Sequence, residues 1–247
     1  MIIVLPLLAT LNASYVHASV CAESKESMLP EIFAALEASS EKPLITVETG
    51  VIEDEAFTQD LSLRIQTFAK KYPSRFLEKL KFNILITNWS NNELGALKRG
   101  RLQLNEIKLR EFEKKNPRYT ERVVHHELSH LIFIQFAESS RKRAMVEAYD
   151  QWRAQHQSTV GAYQDKDVPL EELREGGFLE PYALTNFHED FAVYAEALFT
   201  GQFRNGDSFW SAHDRSPAIQ KKTALVVSVY QEADPEFSLE YFRGLRQ

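Results

Sequence analysis

Hydrophobic positions along this chain recur mostly at helical spacing, broken by a few short runs suited to strands. Apolar residues at Met28, Leu29, Ile32, Phe33 and Leu36 give Glu26–Ala38 the period of a helix. Leu44-Ile45-Thr46-Val47 reads as a short strand. Asp54–Leu80 reads as two helices meeting at Pro73, where the missing N–H and fixed φ interrupt the ladder. Phe82–Trp89 (FNILITNW) has the β-branched and apolar content of a buried strand, and Ser90-Asn91-Asn92 follows as a turn. From Gly100 to Leu109 the pattern alternates at Leu102 and Leu104, then resumes one register off at Ile107 and Leu109. A bulged strand, or two short strands, would satisfy it.

The second half is more regular. Thr120 is placed to cap a helix running to about Ala137, and another helix is expected from Arg141 to His156. Gln157–Gly177 is polar and reads as a surface loop. Phe187–Phe199 reads as a helix stopped before Gly201, and Pro217 starts a last helix reaching Glu232. No repeat or low-complexity linker divides the chain. The expected fold is a single, mostly helical α+β domain over residues 23–247 with a small sheet.

Residues 1–22 are set apart. Ile2–Leu11 is an apolar run interrupted only by Pro6 and Thr10, too short for a membrane span but right for a secretory leader. Small-residue cleavage sites follow at Val16-His17-Ala18 and Val20-Cys21-Ala22, although no Lys or Arg precedes the run. The expectation is a signal peptide and an exported (periplasmic or secreted) mature chain without stable membrane insertion. A buried N-terminal strand or helix is the alternative. Cys21 is the single cysteine, so no intramolecular disulfide can form. The formal charge of −6 leaves no basic surplus of the kind nucleic-acid binding needs.

The segment Val123-Val124-His125-His126-Glu127-Leu128-Ser129-His130-Leu131 carries the chemistry. Residues four apart on a helix lie on one face, so His126 and His130 can grip a single metal ion. Glu127 is turned about 100° from His126, too far to be an easy ligand but placed to reach a metal-bound water. Zinc brings the pKa of such a water towards neutrality, and a neighbouring carboxylate can take its proton and hand it on. His125 faces elsewhere and is expected to pack or be solvated. Val124, Leu128 and Leu131 form an apolar face that buries this helix. A catalytic zinc needs a third ligand. His156, His188, Glu189, Asp190, Glu196 and His213 are the downstream candidates.

The stretch from Tyr182 to Glu196 resembles the glutamate helix of the gluzincin peptidases, in the group of Mlc titration factor and anthrax lethal factor. Those proteins carry a Tyr seven residues before a Glu, with a Phe-Ala pair after it. Tyr182, Glu189 and Phe191-Ala192 reproduce that pattern, and Val193 with Glu196 continues it. The resemblance covers residues 123–134 and 182–199. It implies a zincin-like domain whose small sheet packs on the HExxH helix, and one zinc ion held by His126, His130 and Glu189. It further implies Glu127 as general base and acid, Tyr182 as hydrogen-bond donor to the oxyanion, and a protein or peptide substrate. Glu196, or else Asp190, would steady a ligand from behind. An edge strand within Leu102–Leu109 would lie beside the cleft. Lys98, Arg99 and Arg101 are read as a solvated turn, and His213 as part of a polar loop. Two competing readings are a catalytically inactive zinc protein using this fold to bind a partner, and a metal-free helical interaction domain.

Overall fold

The computed structural model describes residues 45–245 apart from 81, 90–92, 99–100, 117, 138 and 156–168. The leader over residues 1–22, Cys21, the helix expected at Glu26–Ala38, and His156 lie outside the described residues. The strands are β1 (Thr46–Thr49), β2 (Asn83–Thr87), β3 (Gly95–Lys98) and β4 (Arg101–Asn105). The helices are α1 (Glu55–Ala69), α2 (Ser74–Leu80), α3 (Glu106–Glu113), α4 (Tyr119–Phe136), α5 (Ser139–Gln155) and α6 (Leu170–Glu175). A 3₁₀ turn at Pro181–Leu184 precedes α7 (Phe187–Thr200), α8 (Phe209–Arg215), α9 (Pro217–Ala233) and α10 (Leu239–Gly244). The molecule is a mostly helical α+β fold with a four-stranded mixed sheet of order β1-β2-β4-β3. None of the described helices is long and apolar enough to cross a membrane.

β1, β2 and β4 run parallel, and β3 pairs antiparallel with β4. Register places Ile84 beside Leu102 and Ile86 beside Leu104. All four are fully buried, so one face of the sheet meets the helices and fixes the register. Four expectations need correction here. The shifted alternation after Leu104 is no bulge: β4 ends at Asn105 and α3 begins at Glu106. Asn105 caps α3 by accepting from the Lys108 N–H at 3.3 Å, and its amide donates to the Trp89 carbonyl at 3.2 Å. A strand period of two gives way there to a helical one. β4 is therefore an inner strand, and the edge beside the helices belongs to β3, too short to be read from Gly95-Ala96. Thr120 is not a cap either. α4 starts at Tyr119, and the Thr120 hydroxyl is buried without a hydrogen-bond partner among the described residues. The expected loop Gln157–Gly177 contains α6.

α4 runs through the middle of the molecule. Val124, Leu128, Leu131, Ile132 and Phe133 are all buried, which makes it apolar on more than one side. It packs most closely on α7, whose residues from Asp190 to Phe199 are buried without a break. Asn186 starts α7 by accepting from the backbone N–H groups of His188 and Glu189 at 2.9 and 3.1 Å. Gly201 ends it with φ of +69°, a left-handed turn that glycine adopts without a Cβ penalty. Below the pair, Tyr72, Phe199, Tyr230, Phe237 and Phe242 form an aromatic cluster with ring centroids 4.4 to 6.4 Å apart. Such contacts add stabilisation beyond area burial alone.

Ile132 is fully buried on α4. Ile132→Ala is expected to lower unfolding free energy by about 2–5 kcal/mol. Denaturant titration would show this as a lower midpoint at unchanged m. A loss below about 1 kcal/mol would contradict the central placement of α4.

Candidate metal centre

α4 delivers His126 and His130 one turn apart, with ring centroids 4.9 Å apart and planes nearly perpendicular. α7 crosses α4 so that its first turn brings Glu189 to the same point. His126 Nε2 lies 3.0 Å and His130 Nε2 3.7 Å from Glu189 Oε2. One donor atom from each of the three residues falls within 4.8 Å of the others. Tetrahedral zinc with bonds of about 2.0–2.1 Å separates its ligand atoms by roughly 3.3 Å, so the set is close to the required size.

The protons decide what the set can hold. His126 Nδ1 lies 2.7 Å from Glu196 Oε1. A carboxylate accepts, so Nδ1 carries the hydrogen and donates it. In neutral imidazole Nε2 is then a lone pair, and it faces the Glu189 carboxylate at 3.0 Å. Two acceptors at that distance repel unless a cation lies between them. A proton can serve: burial lowers the pKa of His126, but the hydrogen bonds it donates to Glu189 and Glu196 outweigh that and raise it to about 10. A metal ion can serve equally, and a histidine that donates its other N–H to a carboxylate has the usual environment of a metal ligand. Burial, then the neighbouring His126 charge, holds His130 down to about 4, leaving its imidazole neutral and ready to coordinate. Glu189 is itself resisted by burial but held below the usual carboxylate range by His126. The residues present fit a divalent cation of the zinc type.

No protein-family model matches this sequence, and no curated protein matches it. Among solved structures, the chain is similar to a crystal structure described as a "putative zinc-binding metallo-peptidase" from Bacteroides caccae. The two share 15 % identity over 92 % of this chain and 94 % of the other, with a TM-score of 0.47.

Glu127 and Tyr182 line the same open cleft of about 490 Å³, together with Gly95, Ala96, Asn186 and His188. Burial raises the Glu127 carboxyl to about 7 against the pull of His126. β3 passes very close to it: a Cβ at Gly95 would lie 2.8 Å from Glu127 Cγ, so only glycine lets the strand approach. Tyr182 sits in the 3₁₀ turn, its ring centroid 5.8 Å from that of His126. Burial and the Glu189 charge, with which it also hydrogen-bonds, push its phenol well up, so it stays protonated.

The remaining candidates fall elsewhere. Asp190 is on α7 but turned from the cleft; its carboxylate accepts from Lys222 Nζ at 2.6 Å in a fully buried pair. That leaves the place behind His126 to Glu196. His125 is fully buried, stacked 4.4 Å from Phe199, with Nδ1 2.8 Å from the Tyr72 hydroxyl. His188 lines the cleft beside Phe187 and Phe133. His213 lies on α8 and not in a polar loop, buried against Trp210, because Ser208 caps a helix there by accepting from Ser211 N–H. Arg101 pairs with Glu48 at 3.3 Å, at the sheet and not at the cleft. Sequence reasoning did not find Gly95, Glu180, Arg122 or Arg204, the last three of which surround Glu196. Arg122 shares α4 with the histidines, one turn before His126, but Gly95, Glu180 and Arg204 come from other segments, and only tertiary contact brings Glu180, Arg122 and Arg204 around Glu196.

Glu196→Gln keeps the shape and an acceptor oxygen but removes the charge behind His126. Competition against a chromophoric chelator is expected to show zinc affinity reduced by about tenfold or more. Wild-type affinity in this variant would contradict the role given to Glu196.

Proposed function

We propose that the protein is a zinc-dependent peptidase, with His126, His130 and Glu189 as ligands. The observation that carries this reading is the single cleft that joins the three donors to Glu127 and Tyr182. A cation-binding module needs the first three residues and has no use for the other two. Zinc held there would acidify a water and polarise a substrate carbonyl.

The chain's own residues supply the rest. The Glu127 carboxyl, held up by burial, lines the cleft beside the three donors, where it can take a proton from a metal-bound water and return it, as a general base and then acid must. Tyr182 keeps its proton across the working range and donates a hydrogen bond to an oxyanion forming beside it. Glu196 holds the His126 ring in the tautomer that presents the Nε2 lone pair. Gly95 and Ala96 on edge strand β3 border the cleft, where an extended peptide can add to the sheet through its backbone. Water attack on the peptide carbonyl then needs no covalent enzyme intermediate.

Glu127→Ala is expected to retain one zinc per chain while peptidase activity falls by about 10²–10⁴. Tyr182→Phe should lose about 10²–10³ in kcat with KM little changed. Equal activity in Glu127→Ala would falsify the reading. Wild-type protein that binds zinc but cleaves no peptide pool would favour the partner-binding alternative.

A further inference from the structure

We infer that Arg204 is a positioning residue that sets both halves of the site at once, acting on His126 through Glu196 and directly on Tyr182. It approaches both Glu196 oxygens, Nε at 3.1 Å and a terminal nitrogen at 2.6 Å. This two-point grip fixes the plane of the carboxylate as well as its place, which a lysine cannot do. The same carboxylate receives His126 Nδ1–H at 2.7 Å, so the ring's orientation follows from that of the guanidinium. The Arg204 guanidinium carbon also lies 5.3 Å from the centroid of the Tyr182 ring, within cation–π range. Its Nε is 3.1 Å from Glu180, the residue just before the 3₁₀ turn that carries Tyr182. One side chain therefore touches the support of a ligand and the support of the oxyanion donor.

Arg204 can do this because its own loop is fixed to α4. The loop leaves α7 at Gly201 and closes on itself through a Gln202–Ser208 bridge and a Phe203 N–H to Asp207 carbonyl bond of 2.8 Å. Arg122, buried one turn before His126, donates to the carbonyls of Gln202 at 3.2 Å and Phe203 at 2.7 Å. The helix that carries the histidines thus holds the loop that orients one of them. Without Arg204, Glu196 would keep His126 Nδ1 at one oxygen, and the plane of the carboxylate would be less constrained. With Arg204 in place both oxygens are held and the carboxylate is aimed at His126.

The inference rests on the metal-site reading, and the test separates the two. Zinc dissociation constants by chelator competition, and imidazole ¹⁵N shifts of His126 in the zinc-loaded protein, are measured for wild type, Arg204→Met, Arg204→Lys, Glu196→Gln and the double variant Arg204→Met/Glu196→Gln. Arg204→Met is expected to weaken zinc binding about 10–100-fold and to shift the His126 Nδ1 resonance as its hydrogen bond to Glu196 loosens. Arg204→Lys should fall between Met and wild type. The double variant should bind zinc about as Glu196→Gln does, because the two act through one contact. In turnover, kcat should fall with KM little changed. Wild-type zinc affinity and His126 shifts in Arg204→Met, or losses that simply multiply in the double variant, would overturn the inference. If Arg204→Met does not fold, Arg204→Lys carries the same comparison, and its equality with wild type overturns it. Wild-type protein that binds no zinc would instead overturn the metal site itself.

Discussion

The imidazole of His126 lies between two carboxylates, Glu196 on Nδ1 and Glu189 on Nε2, and the rest of the site answers to that arrangement. Around it the fold gathers four largely buried acids, Glu127, Glu180, Glu189 and Glu196, against the cations Arg122 and Arg204. Burial pushes Glu127 and Glu180 up to about 7, and the neighbouring Glu196 charge adds to the rise of both. A cation between His126, His130 and Glu189 would offset carboxylate charge where the three donor atoms converge. Ionised groups brought out of water cost several kcal/mol each unless compensated, so such a cluster persists only around something that compensates it.

The scaffold makes that clustering possible by being apolar everywhere else. α4 and α7 meet through Val124, Leu128, Phe133, Phe191 and Leu198, all buried, and cross where the two histidines and Glu189 face one another. The Asn186 cap sets where α7 begins, and with it the position of Glu189 in the first turn. On the other flank, Gly95 lets β3 lie against Glu127 at a distance no side chain would tolerate. Buried pairs away from the cleft, such as Lys222 with Asp190, keep the remaining core charges satisfied without drawing on the site.

In the sequence, the candidate site shows through helical spacing and a motif resemblance, and the groups whose place depends on tertiary contact alone do not. His126 and His130 are legible because helical periodicity places residues four apart together. Tyr182, Glu189 and Glu196 were legible through their resemblance to a glutamate helix. The helix α7 with its Gly201 stop and α9 with Pro217 were read correctly because their caps are local chemistry. Asn105 was misread as a bulge because a strand that turns directly into a helix shifts the hydrophobic register as a bulge does. β3 was missed because four residues with Gly95-Ala96 carry little strand signal; its pairing with β4 is what makes it a strand. Arg122 stands one turn before His126, but that spacing alone does not give it a partner, and Arg204 has no sequence signature. Their roles arise from a loop after α7 folding back on α4.

The most direct test of this account is X-ray absorption at the zinc edge on protein loaded with one equivalent of the metal. The account predicts stoichiometric retention, two imidazole nitrogens and carboxylate oxygen at about 2.0–2.1 Å, and no sulfur. Failure to retain zinc at neutral pH, or a coordination sphere with a third imidazole in place of the Glu189 carboxylate, would contradict it.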